Sequence, residues 1–150
     1  MGIKLFTKAK DGGPNSPVDA YFLIEWKGLF SVALLKFNKG KREEYHTHAF
    51  DALTWFLKGD LVEERLIGIG VLVKQYKRSF IPKVTTKANL HRVKANEDSW
   101  CLTLRGPWSK YWTEYDEVSK VATLLSTGRK IEHTGLGNLA KDALLADKDL

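Results

Sequence analysis

The sequence predicts an all-β protein, a sandwich or a barrel, and three observations carry that expectation. Short runs rich in Val, Ile, Leu, Phe, Tyr and Trp recur at near-even spacing, Gly and Pro stand between them, and helix-compatible text is confined to the C-terminal end. At 150 residues the chain suffices for one domain that buries about two thirds of its unfolded surface, so no covalent staple is required.

Residues 1–19 lack an apolar period and contain Asp11-Gly12-Gly13-Pro14-Asn15-Ser16-Pro17, a cluster of turn formers, so an N-terminal arm or loop is expected. From Ala20 two β-rich runs flank a turn at Gly28 and read as a hairpin over residues 21–37. The polar stretch 38–44, with Gly40, leads into Tyr45-His46-Thr47-His48. Side chains of an extended chain alternate between faces, so His46 and His48 share one. Asp51 has the opposite parity and joins that face only if a turn or bulge near Ala49 and Phe50 resets the alternation. After such a reset Asp51, Leu53, Trp55 and Leu57 point inward, Thr54 and Lys58 outward, and the run ends at Gly59.

Residues 60–78 read as a strand pair. Gly68 and Gly70 would each cost about 1 kcal/mol in a helix interior, which argues against a helix there. Phe80-Ile81-Pro82 marks an edge or turn, 85–93 a strand holding His91, and 96–98 a turn. Residues 100–105 alternate as a half-buried strand, Gly106-Pro107 breaks it, and 108–115 supply a last aromatic segment. From Glu117 the composition shifts. A short helix over 118–125 and a second over 138–146, with Asn138 as N-cap, give a helical tail spanning 117–150. The domain reading is therefore an arm over 1–19, a β-barrel over 20–116 and the tail. The glycines of 134–138 lack the residues a phosphate loop needs.

Lys and Arg number 24 against 18 Asp and Glu, a net charge of +6. That balance favours an anionic partner, but the bases are spread along the chain and no run reads as a nucleic-acid arm. Cys101 is the one cysteine, which excludes an internal disulfide, and its apolar context places it in a buried strand. No leader opens the chain, and no apolar run approaches the ~20 residues that span a bilayer. The expectation is a cytoplasmic protein with no membrane contact.

His46-Thr47-His48, an acid shortly after and Gly59 resemble the first motif of the cupin superfamily, whose fold is a jelly-roll barrel, a double-stranded β-helix. His91 sits where the second motif places its third histidine. Asp51 stands one residue earlier than the motif's acid, Ala52 occupying that place, and the second motif's Pro-x-Gly is absent. Residues 20–115, from Tyr21-Phe22-Leu23 to Thr103-Leu104-Arg105-Gly106-Pro107, also resemble a group of small cupin-like proteins of bacteria and bacteriophages. A phage origin implies the host cytoplasm as the location.

The resemblance implies a divalent transition metal, Fe, Mn, Ni, Co or Zn, held by His46, His48, His91 and Asp51, ligands that do not choose among those ions. Open positions on it would admit a substrate or dioxygen. Asp51 or Tyr45 is then the candidate base. Trp55, Arg78, Trp100 and Arg105 are candidates to line a pocket, Arg105 for a carboxylate or phosphate, although alternation prevents all of them from facing in.

Three functions remain open on the sequence. The first is a metal-dependent oxygenase or isomerase acting on a small anionic molecule. The second is a non-catalytic protein that binds or sequesters a nucleotide-like ligand. The third is an interaction protein whose histidines only stabilise the barrel. Each is compatible with a homodimer, for which the apolar 21–37 hairpin offers an edge.

Overall fold

The structure, a computed structural model, describes residues 2–42, 44–68 and 70–136. These form fourteen strands and, among the described residues, no helix. Among the described residues no helix is therefore long and apolar enough to cross a membrane. Numbered in chain order, β1 (Lys4–Lys10), β2 (Val18–Trp26), β3 (Phe30–Phe37), β11 (Ser99–Arg105), β6 (Ala52–Lys58) and β9 (Lys83–Thr85) lie side by side in one sheet. The second runs β14 (Lys130–Leu136), β13 (Val121–Ser126), β12 (Tyr111–Asp116), β5 (Tyr45–His46), β10 (His91–Ala95), β7 (Asp60–Ile67) and β8 (Gly70–Lys77), with β4 (Gly40–Lys41) also on β10. Every pairing is antiparallel. This is the expected all-β jelly roll.

The two sheets face each other across the main apolar cluster. Phe22, Leu35, Phe56 and Cys101 come from the first sheet and Leu61 and Ala95 from the second, with Tyr76 and Val93 packed against them. A second cluster gathers Tyr45, Leu90, Tyr115, Ala122 and Leu124. Period-two alternation sorts β11 cleanly: Cys101, Thr103 and Arg105 are buried, while Trp100 and Leu102 are half-buried and Leu104 is exposed.

Four expectations are corrected. The arm expected over 1–19 contains β1, which pairs with β2 from Lys4↔Glu25 to Lys10↔Asp19 and is pinned by a Lys10–Asp19 ion pair at 2.8 Å. As a largely exposed edge strand it carries no apolar alternation to read. The 118–125 helix is replaced by β13, because pairing with β12 on one side and β14 on the other satisfies its backbone and buries Ala122, Leu124 and Leu125. The second expected helix, 138–146, lies outside the described residues. The 21–37 hairpin has no open edge, since β1 covers β2 and β11 covers β3. Finally, no parity reset occurs after the histidines: Ala52, Thr54 and Phe56 face the interior, as His46 and His48 do, and Asp51 and Leu57 are exposed.

Gly59 closes the β6–β7 reversal at φ +108, and a Cβ there would lie 2.1 Å from Ser99 Oγ and 2.7 Å from Ser99 Cα. The same Oγ accepts the Asp60 amide at 3.0 Å, so Ser99 has no freedom to retreat. Gly59→Ala should therefore lower the stability of the fold by roughly 1–3 kcal/mol, read as a shifted urea midpoint at unchanged slope. Burial pushes the Cys101 thiol up to about 12. A thiol reagent should label the native chain at a negligible rate and modify one group per chain after denaturation.

Candidate metal centre

Two strands of the second sheet and the segment after β5 deliver three imidazoles to one place. His46 ends β5 and is the Cα partner of His91, the first residue of β10. His48 follows two residues later, and the intervening Thr47 fixes its position: its amide donates to Thr113 O and its Oγ1 accepts the Thr113 amide, each at 2.9 Å. Thr47 is fully buried, so the two histidines flank a clamped residue and point together into the interior. Ring centroids are 4.9 Å apart for His46–His48, 4.9 Å for His46–His91 and 5.1 Å for His48–His91. One nitrogen from each ring lies within 4.8 Å of the others.

The protonation state suits ligation. Burial, then the positive charge of Arg42 and the neighbouring imidazoles, holds His46 well below the usual histidine range. Burial also lowers His91 against the opposing pull of Glu63. Glu63 on β7 is itself buried; burial alone would raise its carboxyl, but His91 and Lys83 outweigh that and hold it at about 2. The neutral His91 therefore donates Nδ1–H to Glu63 Oε2 at 2.5 Å, and this tautomer leaves the lone pair of Nε2 free. That Nε2 is buried with no hydrogen-bond partner, and so is His46 Nδ1. A divalent ion with bonds of about 2.0–2.1 Å spans at most about 4 Å between its donors, so one nitrogen from each of the three rings reaches it by a small side-chain adjustment. Orphaned buried nitrogens of neutral imidazoles are what such an ion requires.

The remaining sequence candidates divide. Asp51 does not join the trio: it is exposed, and its Oδ1 accepts the Lys87 amide at 2.8 Å, holding the loop before β10. Tyr45 alternates away from His46 into the second apolar cluster, where burial pushes its phenol up to about 12 and its hydroxyl donates to Glu64 at 3.2 Å. Trp55 and Arg78 line a separate shallow pocket on the outer face of β6. Trp100 stacks on Tyr21 at 5.9 Å, also outside. Arg105 alone of the four lines the imidazole cavity, of about 420 Å³.

Sequence reasoning missed Glu63, Lys83, Arg42 and Glu114. In Leu61-Val62-Glu63-Glu64-Arg65-Leu66 both parities carry an acid and an apolar residue, so alternation could not choose which glutamate turns in. Structure chooses Glu63, alongside Leu61.

No protein-family profile and no curated protein matches this sequence. Solved structures do. The chain is similar to HppE in its Fe(II) form, with TM-score 0.55 and 8% identity over 66% of this chain and 55% of that one. It is similar to oxalate decarboxylase from Bacillus subtilis, with TM-score 0.53 and 11% identity over 71% of this chain and 29% of that one. A sugar phosphate isomerase of the cupin superfamily from Silicibacter pomeroyi aligns with TM-score 0.52 and 12% identity over 90% of this chain and 87% of that one. The chain thus spans about half the length of the first and under a third of the second. An antiparallel two-sheet barrel with three imidazoles converging inside it is the class defined here. The likeness to these structures is one of fold, the jelly-roll barrel that the cupin isomerase also has.

If Glu63 fixes the His91 tautomer, Glu63→Gln should weaken binding of a divalent transition ion about 10–100-fold without unfolding the chain. Competition against a chromophoric chelator measures this, and an unchanged affinity would show that Glu63 does not orient the ring.

Proposed function

We propose that the chain is a metal-dependent enzyme, of oxygenase or isomerase type, acting on a small anionic molecule in the barrel interior, with the ion held by His46, His48 and His91. The observation that carries this reading is the convergence of His46, His48 and His91, one nitrogen of each within 4.8 Å of the others, with the buried Nε2 of a carboxylate-braced His91 unpaired. Histidines that served the barrel alone would ordinarily have their buried ring nitrogens paired. The cavity of about 420 Å³ is of the size that takes a small metabolite, and among the described residues seven basic side chains line it against four acidic ones. The solved relatives add a precedent for the fold: one is a protein crystallised with Fe(II), another a sugar phosphate isomerase.

The bound ion would supply Lewis acidity, polarising a carbonyl or lowering the pKa of a coordinated group. The chain's own residues do the rest. Glu63 orients His91, Phe50 stacks on His48 at 5.2 Å and walls the site, and Arg105 offers a fixed positive charge to the substrate. With Asp51 outside the site, three histidines are the protein ligands among the described residues, which leaves coordination positions for the substrate.

A second reading, binding without turnover, is favoured by one observation. Among the described residues no carboxylate beside the imidazoles is at liberty to act as a base, because Glu63 is engaged by His91 and Lys83 and Glu114 by Arg42 and Arg129. Under that reading the cavity holds a nucleotide-like ligand, and a phage-encoded chain would sequester it.

Elemental analysis of protein purified without a histidine tag should find close to one transition-metal ion per chain. His46→Ala and His91→Ala should each lose it and retain the β-sheet circular-dichroism spectrum. Wild-type protein that is metal-free, and whose melting temperature does not rise on adding Fe(II), Mn(II), Ni(II), Co(II) or Zn(II), would overturn the metal reading.

A further inference from the structure

Three consecutive residues of the loop after β1 each meet a different arginine of the cavity wall. Asp11 Oδ2 accepts from Arg105 Nη2 at 2.7 Å. A Cβ on Gly12 would lie 2.5 Å from Arg42 Nη1, and one on Gly13 3.0 Å from Arg129 Cζ. Successive Cα atoms are about 3.8 Å apart, so the three guanidinium groups gather beneath a stretch of chain at most about 8 Å long. They come from the end of β11, the segment before β5 and the turn before β14, and all three line the imidazole cavity. The two glycines, at φ +108 and +99, let the loop backbone lie directly on the guanidinium groups.

Among the described residues these arginines are under-neutralised. Arg42 and Arg129 share one carboxylate oxygen, Glu114 Oε1, the Arg129 contact being 2.7 Å, and Arg42 Nε meets half-buried Glu44 only at 3.8 Å. Arg105 is 3% exposed, and its Nε is buried with no hydrogen-bond partner. Its guanidinium plane is held over Phe50, with Cζ 4.5 Å from the ring centroid, and lies 5.6 Å from Phe22. A buried guanidinium N–H without an acceptor is a standing cost that a ligand oxygen removes.

The cluster and the imidazoles share a wall. Glu114 is the Cα partner of His46, so their side chains project from one face as cross-strand neighbours. Phe50 touches both His48, at 5.2 Å, and Arg105.

We propose that Arg42, Arg105 and Arg129 form an oxyanion cradle beside the imidazole trio, which takes the phosphoryl or carboxylate group of the ligand, and that Asp11 holds that group's place on Arg105. This rests on the reading that the cavity accepts a small anionic molecule, and it adds where the anion sits and what yields to it. Guanidinium groups suit both chemistries, since their planar donors match two oxygens at once.

The test is calorimetric titration of the full chain with inorganic phosphate and, separately, with malonate, after chelation so that no metal can be the anion's partner. Removing the competing carboxylate by Asp11→Asn should tighten binding of the preferred anion about tenfold, while Arg105→Met and Arg129→Met should each weaken it at least tenfold. Which probe responds identifies the group. Opposite signs for Asp11 and the arginines are the signature, because a purely structural ion pair would leave anion affinity unmoved in all three variants. Arg129 is partly exposed, so its variant keeps the test decisive if Arg105→Met does not fold. Absence of binding by both anions, or equal affinities for wild type, Asp11→Asn and Arg129→Met, would overturn the cradle. Metal content of the unchelated samples is read separately: anion binding by a chain that holds no metal would retain the cradle and remove the metal centre, and metal without anion binding would do the reverse.

Discussion

The site depends on a strand of two residues held between two neighbours. Tyr45 and His46 pair with β12 on one side, and His46 pairs with His91 of β10 on the other. Alternation then assigns the two side chains to opposite environments, the imidazole to the cavity and the phenol to the second apolar cluster. A slip of one residue would exchange them, placing a polar ring among Leu90, Tyr115 and Leu124 and a bulky phenol where the imidazoles converge. Each environment rejects the other's side chain, so the register that builds the fold also builds the trio. Thr47 extends the constraint by one residue, since its paired bonds to Thr113 carry the same geometry on to His48.

The interior divides along its length into an apolar part and a charged part. Phe22, Leu35, Phe56, Leu61 and Cys101 form the apolar part, whose burial drives association of the sheets. Glu63, Lys83, His91 and Arg105 occupy the charged part. Burying these groups is expensive, and pairing Glu63 with Lys83 and His91 recovers only part of the cost of desolvation. Well-packed apolar side chains of similar volume would serve the barrel at least as well. A function inside the cavity accounts for their presence better than stability does.

Much of the fold was legible in the sequence, because half-buried antiparallel strands write their alternation into it. The 21–37 hairpin, the strand pair of 60–78 and the 100–105 strand all appear close to where they were expected. Elements at the margins were not legible. β1 buries too little to show a period, and the apolar side chains of β13 fit a helical spacing as readily as a strand's until its partners on both sides are known. For the site, the three histidines were legible through their resemblance to a motif. The acid was not: Asp51 is near in sequence but on the wrong parity, whereas Glu63 arrives from another strand. Arg42 and Arg129 belong to loops, where no alternation exists to assign a direction.

Arg42 connects the two halves of the cavity through its field. After burial, its charge is the largest influence disfavouring a proton on His46, and the same field opposes any other cation placed on that ring. At an effective dielectric constant of about 20, two unit charges about 8 Å apart interact by about 2 kcal/mol, and an ion of charge two feels twice that. Three arginines beside the proposed metal centre would therefore be a liability, since among the described residues Asp11 and Glu114 are the carboxylates that pair with them inside the cavity. An oxyanion seated among them would change the sign of the balance, since it would neutralise the guanidinium groups and attract a bound ion. Coupling of this kind is reciprocal: whatever factor the anion adds to the affinity for metal, the metal adds to the affinity for the anion. On the proposed reading the arginines would make the trio a better metal site with an anionic ligand present than without it, and occupancy of the centre would then follow the arrival of that ligand.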